Sequence, residues 1–283
     1  MSNNSPDDHG WPTDEAWARV RERITASDPA APNALGRRVP IVAAAAIAVL
    51  TIGAGVSWRM LKSRQVATAS IERVATTGVG ERLTIRLADS SVVTIGPVST
   101  IRYSTSATGR SVALDGVADF NVVHDAARPF RVRAKNAVVT DVGTEFVVRA
   151  YAADSGVNVA VTSGIVAVSG GASDSVELRA GQVAFVSADG RAATVTRTSA
   201  QTLAAWVNGR LVFDDVPLST VAADLGRWFD VEIRIPDQRL ARRRVIAMYN
   251  QPTLSGVLDA ITVTLPVRYE RTGNVVTILP AKP

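Results

Sequence analysis

The chain has 283 residues, a scattered net charge of +5, no cysteine and two histidines. Without cysteine there can be no disulfide, no thiolate nucleophile and no sulfur ligand. His9 and His124 fall on opposite sides of a long apolar run, so no histidine cluster can hold a metal and no Ser-His-Asp arrangement can assemble. P-loop, HExxH and GxSxG motifs are absent as well, which leaves catalysis the least supported class.

Residues 1–10 are polar, and a short amphipathic helix is expected after them. Thr13 is a candidate N-cap, with Asp14 and Glu15 in a first turn where the helix dipole favours negative charge. Trp17, Val20 and Ile24 are spaced three and four apart and share one face; Arg19, Glu22 and Arg23 occupy the other. A helix of roughly 12–14 residues is marginal alone in water and would bury its Trp17 stripe against a partner. Residues 27–36 (SDPAAPNALG) read as a flexible linker.

Residues 39–58, from Val39 to Trp58, carry no charge. At ~1.5 Å per helical residue the run matches the ~30 Å hydrocarbon core of a bilayer. Its eight strongly apolar side chains supply about −4 kcal/mol of insertion, at roughly −0.5 kcal/mol each. Trp58 stands where an interfacial aromatic belongs. The expectation is one transmembrane helix, uncleaved, with residues 1–38 as a tail on one side. Arg37 and Arg38 before the run are balanced by Arg59, Lys62 and Arg64 after it, so charge alone does not orient it.

From residue 66 to 197 the pattern has period two. Leu83, Ile85 and Leu87 alternate with Thr84 and Arg86; Phe130, Val132 and Ala134 alternate with Arg131, Arg133 and Lys135. Turn signals recur about every 8–12 residues: Asp89-Ser90-Ser91, Gly116, Gly143, Gly164, Gly170-Gly171 and Gly181. Such spacing predicts a mainly β domain, antiparallel, layered or solenoid-like. Arg128, Asp141 and Glu145 offer a binding surface or, more simply, solvated turn charges. Asp141 and Glu145 have no enforced mutual geometry that would make them an acid/base pair.

After a connecting stretch (AQTLAAWVNGR), residues 210–280 read as a small α+β domain of duplicated βαβ units. Strand, helix and strand in residues 211–235 recur in residues 245–280 with an extra final strand. Pro217 and Pro252 stand at the helix starts, where a missing N–H costs nothing. Arg242-Arg243-Arg244 reads as the solvated edge of a strand and is too short for a nucleic-acid tract, so no nucleic-acid partner is expected.

Six segments occur in an order that resembles the FecR family of bacterial membrane regulators. They are residues 87–93 (LADSSVV), 99–103 (STIRY), 110–120 (RSVALDGVADF), 128–132 (RPFRV), 141–146 (DVGTEF) and 176–182 (VELRAGQ). One departure is GVADF at residues 116–120, where Gly-Glu-Ala-Phe-Phe is usual. The C-terminal region is similar to the secretin and TonB short N-terminal domain. The resemblance implies a single-pass protein of the bacterial inner membrane, with a cytoplasmic tail and periplasmic C-terminal domains. It further implies a transmembrane anti-sigma regulator: the tail binds an extracytoplasmic-function (ECF) sigma factor, with Trp17, Val20 and Ile24 as the contact stripe. The periplasmic part receives a signal from an outer-membrane TonB-dependent transducer, and no cofactor is involved. The tail is shorter than the family's usual cytoplasmic region. A membrane-anchored periplasmic scaffold or glycan-binding module, with no role in transcription, is the alternative.

Overall fold

The computed structural model describes residues 72–105, 109–171, 175–195 and 198–281, all within one unit, Thr68–Pro283. The expected tail helix (Trp17, Val20, Ile24) and the expected membrane span (Val39 to Trp58) lie outside the described residues. Among the described residues no helix is long and apolar enough to cross a membrane.

Thirteen strands come first: β1 Arg73–Thr77, β2 Leu83–Arg86, β3 Val92–Ile95, β4 Ser99–Thr105, β5 Arg110–Asn121, β6 Phe130–Ala134, β7 Ala137–Asp141, β8 Glu145–Ala150, β9 Gly156–Ser163, β10 Ile165–Gly170, β11 Val176–Arg179, β12 Val183–Ser187 and β13 Ala192–Val195. They form one continuous sheet that folds into two layers. One layer runs β1-β4-β5-β6-β7-β10-β11 and the other β2-β3-β5-β8-β9-β12-β13. Every pairing is antiparallel except β5 with β6. The expected mainly β, layered domain is what the structure shows.

Strand β5 belongs to both layers. Its first half, Arg110 to Asp115, pairs with β4 and, over Arg110 to Leu114, with β6; its second half, Gly116 to Asn121, pairs with β8 and, from Ala118 on, with β3. Gly116 sits at the changeover with φ +112°, a region that favours glycine. A Cβ there would lie 2.1 Å from Ser99 Oγ. That hydroxyl is already committed: it accepts from Val117 N (2.9 Å) and donates to Pro97 O (2.9 Å).

The inward side chains of the two layers meet in one core. Period-two alternation makes this possible: on β6, Phe130, Val132 and Ala134 are buried while Arg131 and Arg133 are exposed. Phe120 is the hub, stacked on Phe146 (centroids 5.1 Å apart) and edge-on to Phe130 (6.0 Å).

The connecting stretch is not a free linker. It forms helix α1 (Ala200–Ala204), capped by Ser199, and a 3-10 turn (Ala205–Asn208). Both lie on the outer face of the β2-to-β13 layer. There Trp206 is buried with Val117, Val147, Tyr151, Ala160, Val183 and Ala200 in a second apolar cluster.

The C-terminal module follows as β14 (Arg210–Pro217), α2 (Leu218–Phe229), β15 (Glu232–Arg234), α3 (Gln238–Ala241), β16 (Arg244–Asn250), α4 (Leu254–Thr264), β17 (Val267–Thr272) and β18 (Val275–Pro280). Leu218, Val221, Ala222 and Leu225 give α2 one buried face; Leu254, Val257, Leu258 and Ile261 do so for α4. Pro217 is the N-cap of α2, whereas Pro252 stands one residue before Thr253, the N-cap of α4. The first strands of the two repeats pair antiparallel with each other (β14-β16); the rest form the sheet β15-β18-β17.

Gly116→Ala should destabilise the chain by roughly 2–4 kcal/mol, from positive φ and the Ser99 clash together. Urea unfolding followed by far-UV circular dichroism measures this; a midpoint unchanged from wild type would mean that β5 does not need its glycine.

Candidate functional site

Trp17, Val20, Ile24, Val39 and Trp58 have no described structure, so the site is built from residues beyond 71. Of the charged turn residues singled out in the sequence, only Arg128 behaves as expected: it is partly exposed and paired with Asp125 at 2.8 Å. Asp141 is not a solvated turn charge. Its exposure is 0 %, because β7 ends inside the fold. One carboxylate oxygen accepts from Gly143 N (3.0 Å); the other, like the nearby hydroxyl of Thr144, is buried without a partner. Burial raises the Asp141 pKa against the opposing Gly143 bond. Glu145 stands apart from Asp141, and its charge acts on Asp119 instead. The structure therefore assembles no carboxylate pair from Asp141 and Glu145. His124 is exposed in the loop after β5, as the sequence suggested, and Arg242-Arg243-Arg244 is exposed at the start of β16.

Arg110 was not legible as a core residue, yet it is 2 % exposed at the start of β5. Its guanidinium lies over the Phe130 ring at 5.5 Å. It donates to Asp89 Oδ2 (2.8 Å), Val123 O (2.7 Å) and Arg128 O (2.8 Å). Burial pushes the Asp89 carboxyl up, but hydrogen bonds from Arg110 and Ser91 outweigh it and hold the pKa below the usual carboxylate range. Arg110 thus ties the turn before β3 to the loop before β6. This is structural chemistry, with every donor directed at the chain itself.

A second charged group joins the β domain to the C-terminal module. Arg149, on the outward face of β8, contacts Asp154 Oδ2 (2.8 Å) in its own domain and Asp224 (2.9 and 3.0 Å) on α2. Arg227 reaches the same Asp224 at 2.7 Å. Tyr151 lies under both guanidiniums, at 5.2 Å from Arg149 and 3.9 Å from Arg227, and donates to Pro97 O (2.8 Å). Burial would lower the Arg149 pKa; Asp224 and Asp154 outweigh it and keep the guanidinium firmly charged. Burial pushes the Tyr151 hydroxyl up to about 12. Two cations and two carboxylates share this junction, so charge is balanced.

Beside it lies an open cleft of about 400 Å³. Its walls come from the β1–β2 loop (Gly80, Arg82), the end of the connector (Asn208), the end of α2 (Trp228, Phe229) and the loop after β16 (Gln251). Gly80 N donates to Arg227 O (2.8 Å), pinning the β1–β2 loop to α2. Arg82 Nη1 donates to the carbonyls of Trp206 and Val207 (both 3.1 Å), with its guanidinium 6.0 Å from the Trp228 ring.

The surface beyond the cleft is apolar. On β16, Ile246 (74 % exposed) and Met248 (65 %) face outward. Val212 of β14 is the register partner of Met248. Among the described residues β16 pairs only with β14, which leaves one edge free. An open strand edge beside exposed apolar side chains is the geometry that strand addition uses.

Residues 73–167 match the family described as FecR protein, and residues 210–278 match the family described as FecR, C-terminal. Together they span more than half of the chain. No curated protein matches it. Two crystal structures of a candidate anti-sigma factor from Parabacteroides distasonis ATCC 8503, at 1.65 and 2.50 Å resolution, are similar to it. Each superposes with TM-score 0.70 at 28% identity, over the whole of that chain and 74% or 75% of this one.

Two expectations follow from the electrostatics. Arg149→Met should cost about 1–3 kcal/mol in urea unfolding monitored by tryptophan fluorescence, because Asp224 stays buried with only Arg227 beside it. Asp224→Leu in the same background should cost about 1 kcal/mol less than the two single losses added; strict additivity would mean that the pair is not coupled. Asp119 is 8 % exposed, and burial, with the charge of Glu145 adding, raises its pKa from 3.8 to about 7. The folded state thus binds a proton between pH 4 and 7 that the unfolded chain releases, so this group's contribution to stability falls as pH rises through that window. Asp119→Asn should match wild type near pH 4 and exceed it by about 2–4 kcal/mol at pH 8; a constant offset across that range would contradict this.

Proposed function

The chain belongs to the FecR family, and we propose that it is an anti-sigma regulator that relays a signal across the bacterial inner membrane. The role is regulatory rather than catalytic. The observation that carries this reading is the succession of the two FecR-family segments on a fold shared, at 28% identity, with a candidate anti-sigma factor. In this reading residues 39–58 span the membrane and residues 1–38 lie in the cytoplasm. There Trp17, Val20 and Ile24 contact an ECF sigma factor. Residues 66–197 and 210–280 are the two periplasmic domains, the second akin to the secretin and TonB short N-terminal domain. The signalling domain of an outer-membrane TonB-dependent transducer adds a strand to the free edge of β16 and covers Ile246 and Met248.

The geometry supports a route from that surface toward the membrane. The module that carries β16 is fixed to the β domain through Asp224 and Arg149. The same helix α2 holds the β1–β2 loop through the bond from Gly80 to Arg227. β1 is the described strand nearest in sequence to residues 39–58, so a shift of α2 acts on the segment that leads to the span.

A two-hybrid assay of residues 1–38 against every ECF sigma factor of the host tests the cytoplasmic half. Binding to one of them, lost on Trp17→Ala, is the expected result. No binding to any would favour a periplasmic scaffold without a role in transcription.

A further inference from the structure

We propose that the cleft at the junction is a receptor for an acidic residue of the partner strand that adds to β16, so that a single partner segment holds the β domain and the C-terminal module together. The proposal rests on the strand-addition reading above and names what lies at the end of that strand.

Three observations converge on it. The first is continuity. β16 ends at Asn250, and the next two residues, Gln251 and Pro252, line the cleft. Gln251 N donates to Gly209 O (3.0 Å), so the end of β16 is held at the cleft's mouth. A strand laid along the free edge of β16 and continuing past Asn250 therefore enters the cleft. The second is chemistry. The lining contains one cation, Arg82, and no carboxylate; the amides of Asn208 and Gln251 and the rings of Trp228 and Phe229 make up much of the rest. A volume of about 400 Å³ is at the small end for binding sites and suits one or two side chains. The third is preorganisation. The bonds from Arg82 to the Trp206 and Val207 carbonyls employ one of its three nitrogens. They fix the planar fork beside Trp228 and leave donors for a carboxylate.

Arg82 belongs to the β domain, whereas β16 belongs to the C-terminal module. A partner bound to the β16 edge alone would touch only the module. A partner that also places a carboxylate on Arg82 bridges both, and the junction becomes part of what it recognises.

The test uses the full chain in detergent micelles and the purified N-terminal signalling domains of the host's TonB-dependent transducers, with dissociation constants measured by biolayer interferometry. One domain should bind, and Met248→Asp should abolish binding. Arg82→Gln should weaken it at least tenfold, and Arg82→Lys about threefold. Because Arg82 also bonds the connector, Pro252 supplies a second readout that leaves those bonds intact. Pro252→Glu should weaken binding at least tenfold by placing a like charge at the mouth, while Pro252→Lys should leave it unchanged or tighter. Wild-type affinity in Arg82→Gln and Pro252→Glu, with loss in Met248→Asp, would overturn the cleft assignment and leave strand addition standing. If no signalling domain binds the wild-type chain, strand addition and the cleft assignment fall together.

Discussion

Strand β5 is hydrogen-bonded to four other strands, and no other strand of the domain has so many partners. A strand has two edges, so four partners are possible only if its two halves lie in different layers. Gly116 makes that division by adopting a backbone angle that side chains disfavour, against a Ser99 hydroxyl too close to admit a Cβ. The core follows from it: once β5 is shared, Phe120 in its second half is carried against both Phe146 and Phe130, one from each layer. The outer face follows too, because Val117, the residue after the glycine, is turned toward Trp206 and the connector.

That outer face is where the protein departs from a simple pair of domains on a string. The connector is short and largely helical, and its tryptophan fills a site on the β domain. The charged junction then sets the angle of the C-terminal module. Apolar burial is indifferent to direction, but a guanidinium shared between two carboxylates is not. Trp206 therefore supplies adhesion and Arg149 supplies orientation. Tyr151 serves both, as its ring lies under two cations while its hydroxyl reaches Pro97 O.

Where a side chain's role depends on near neighbours, the sequence could be read. The alternation of β6, the buried stripes of α2 and α4, the turn at Asp89-Ser90-Ser91 and the last hairpin at Gly273-Asn274 all involve partners within a few residues. Roles set by distant partners were missed. Arg110 looks like any strand arginine until Asp89, 21 residues earlier, closes on it. Arg149 shows nothing of Asp224, 75 residues later. Asp141 was read as a turn charge because a glycine follows two residues on, but β7 ends inside the fold and carries the carboxylate in with it. The connector was read as passive because a five-residue helix is too short to show a periodic face. Of the candidate site, the apolar face of β16 was visible as a strand pattern; the cleft was not, because its walls come from four separate stretches of chain.

The placement of β1 has a mechanical meaning. It is an edge strand, held along its length by β4 alone. A pull arriving from the preceding residues loads that five-residue ladder first. The Phe120 core lies several strands away and bears none of the initial load. Under traction β1 is a fuse: it gives way while the domain behind it stays folded, and on release it can zip back onto a template that never moved.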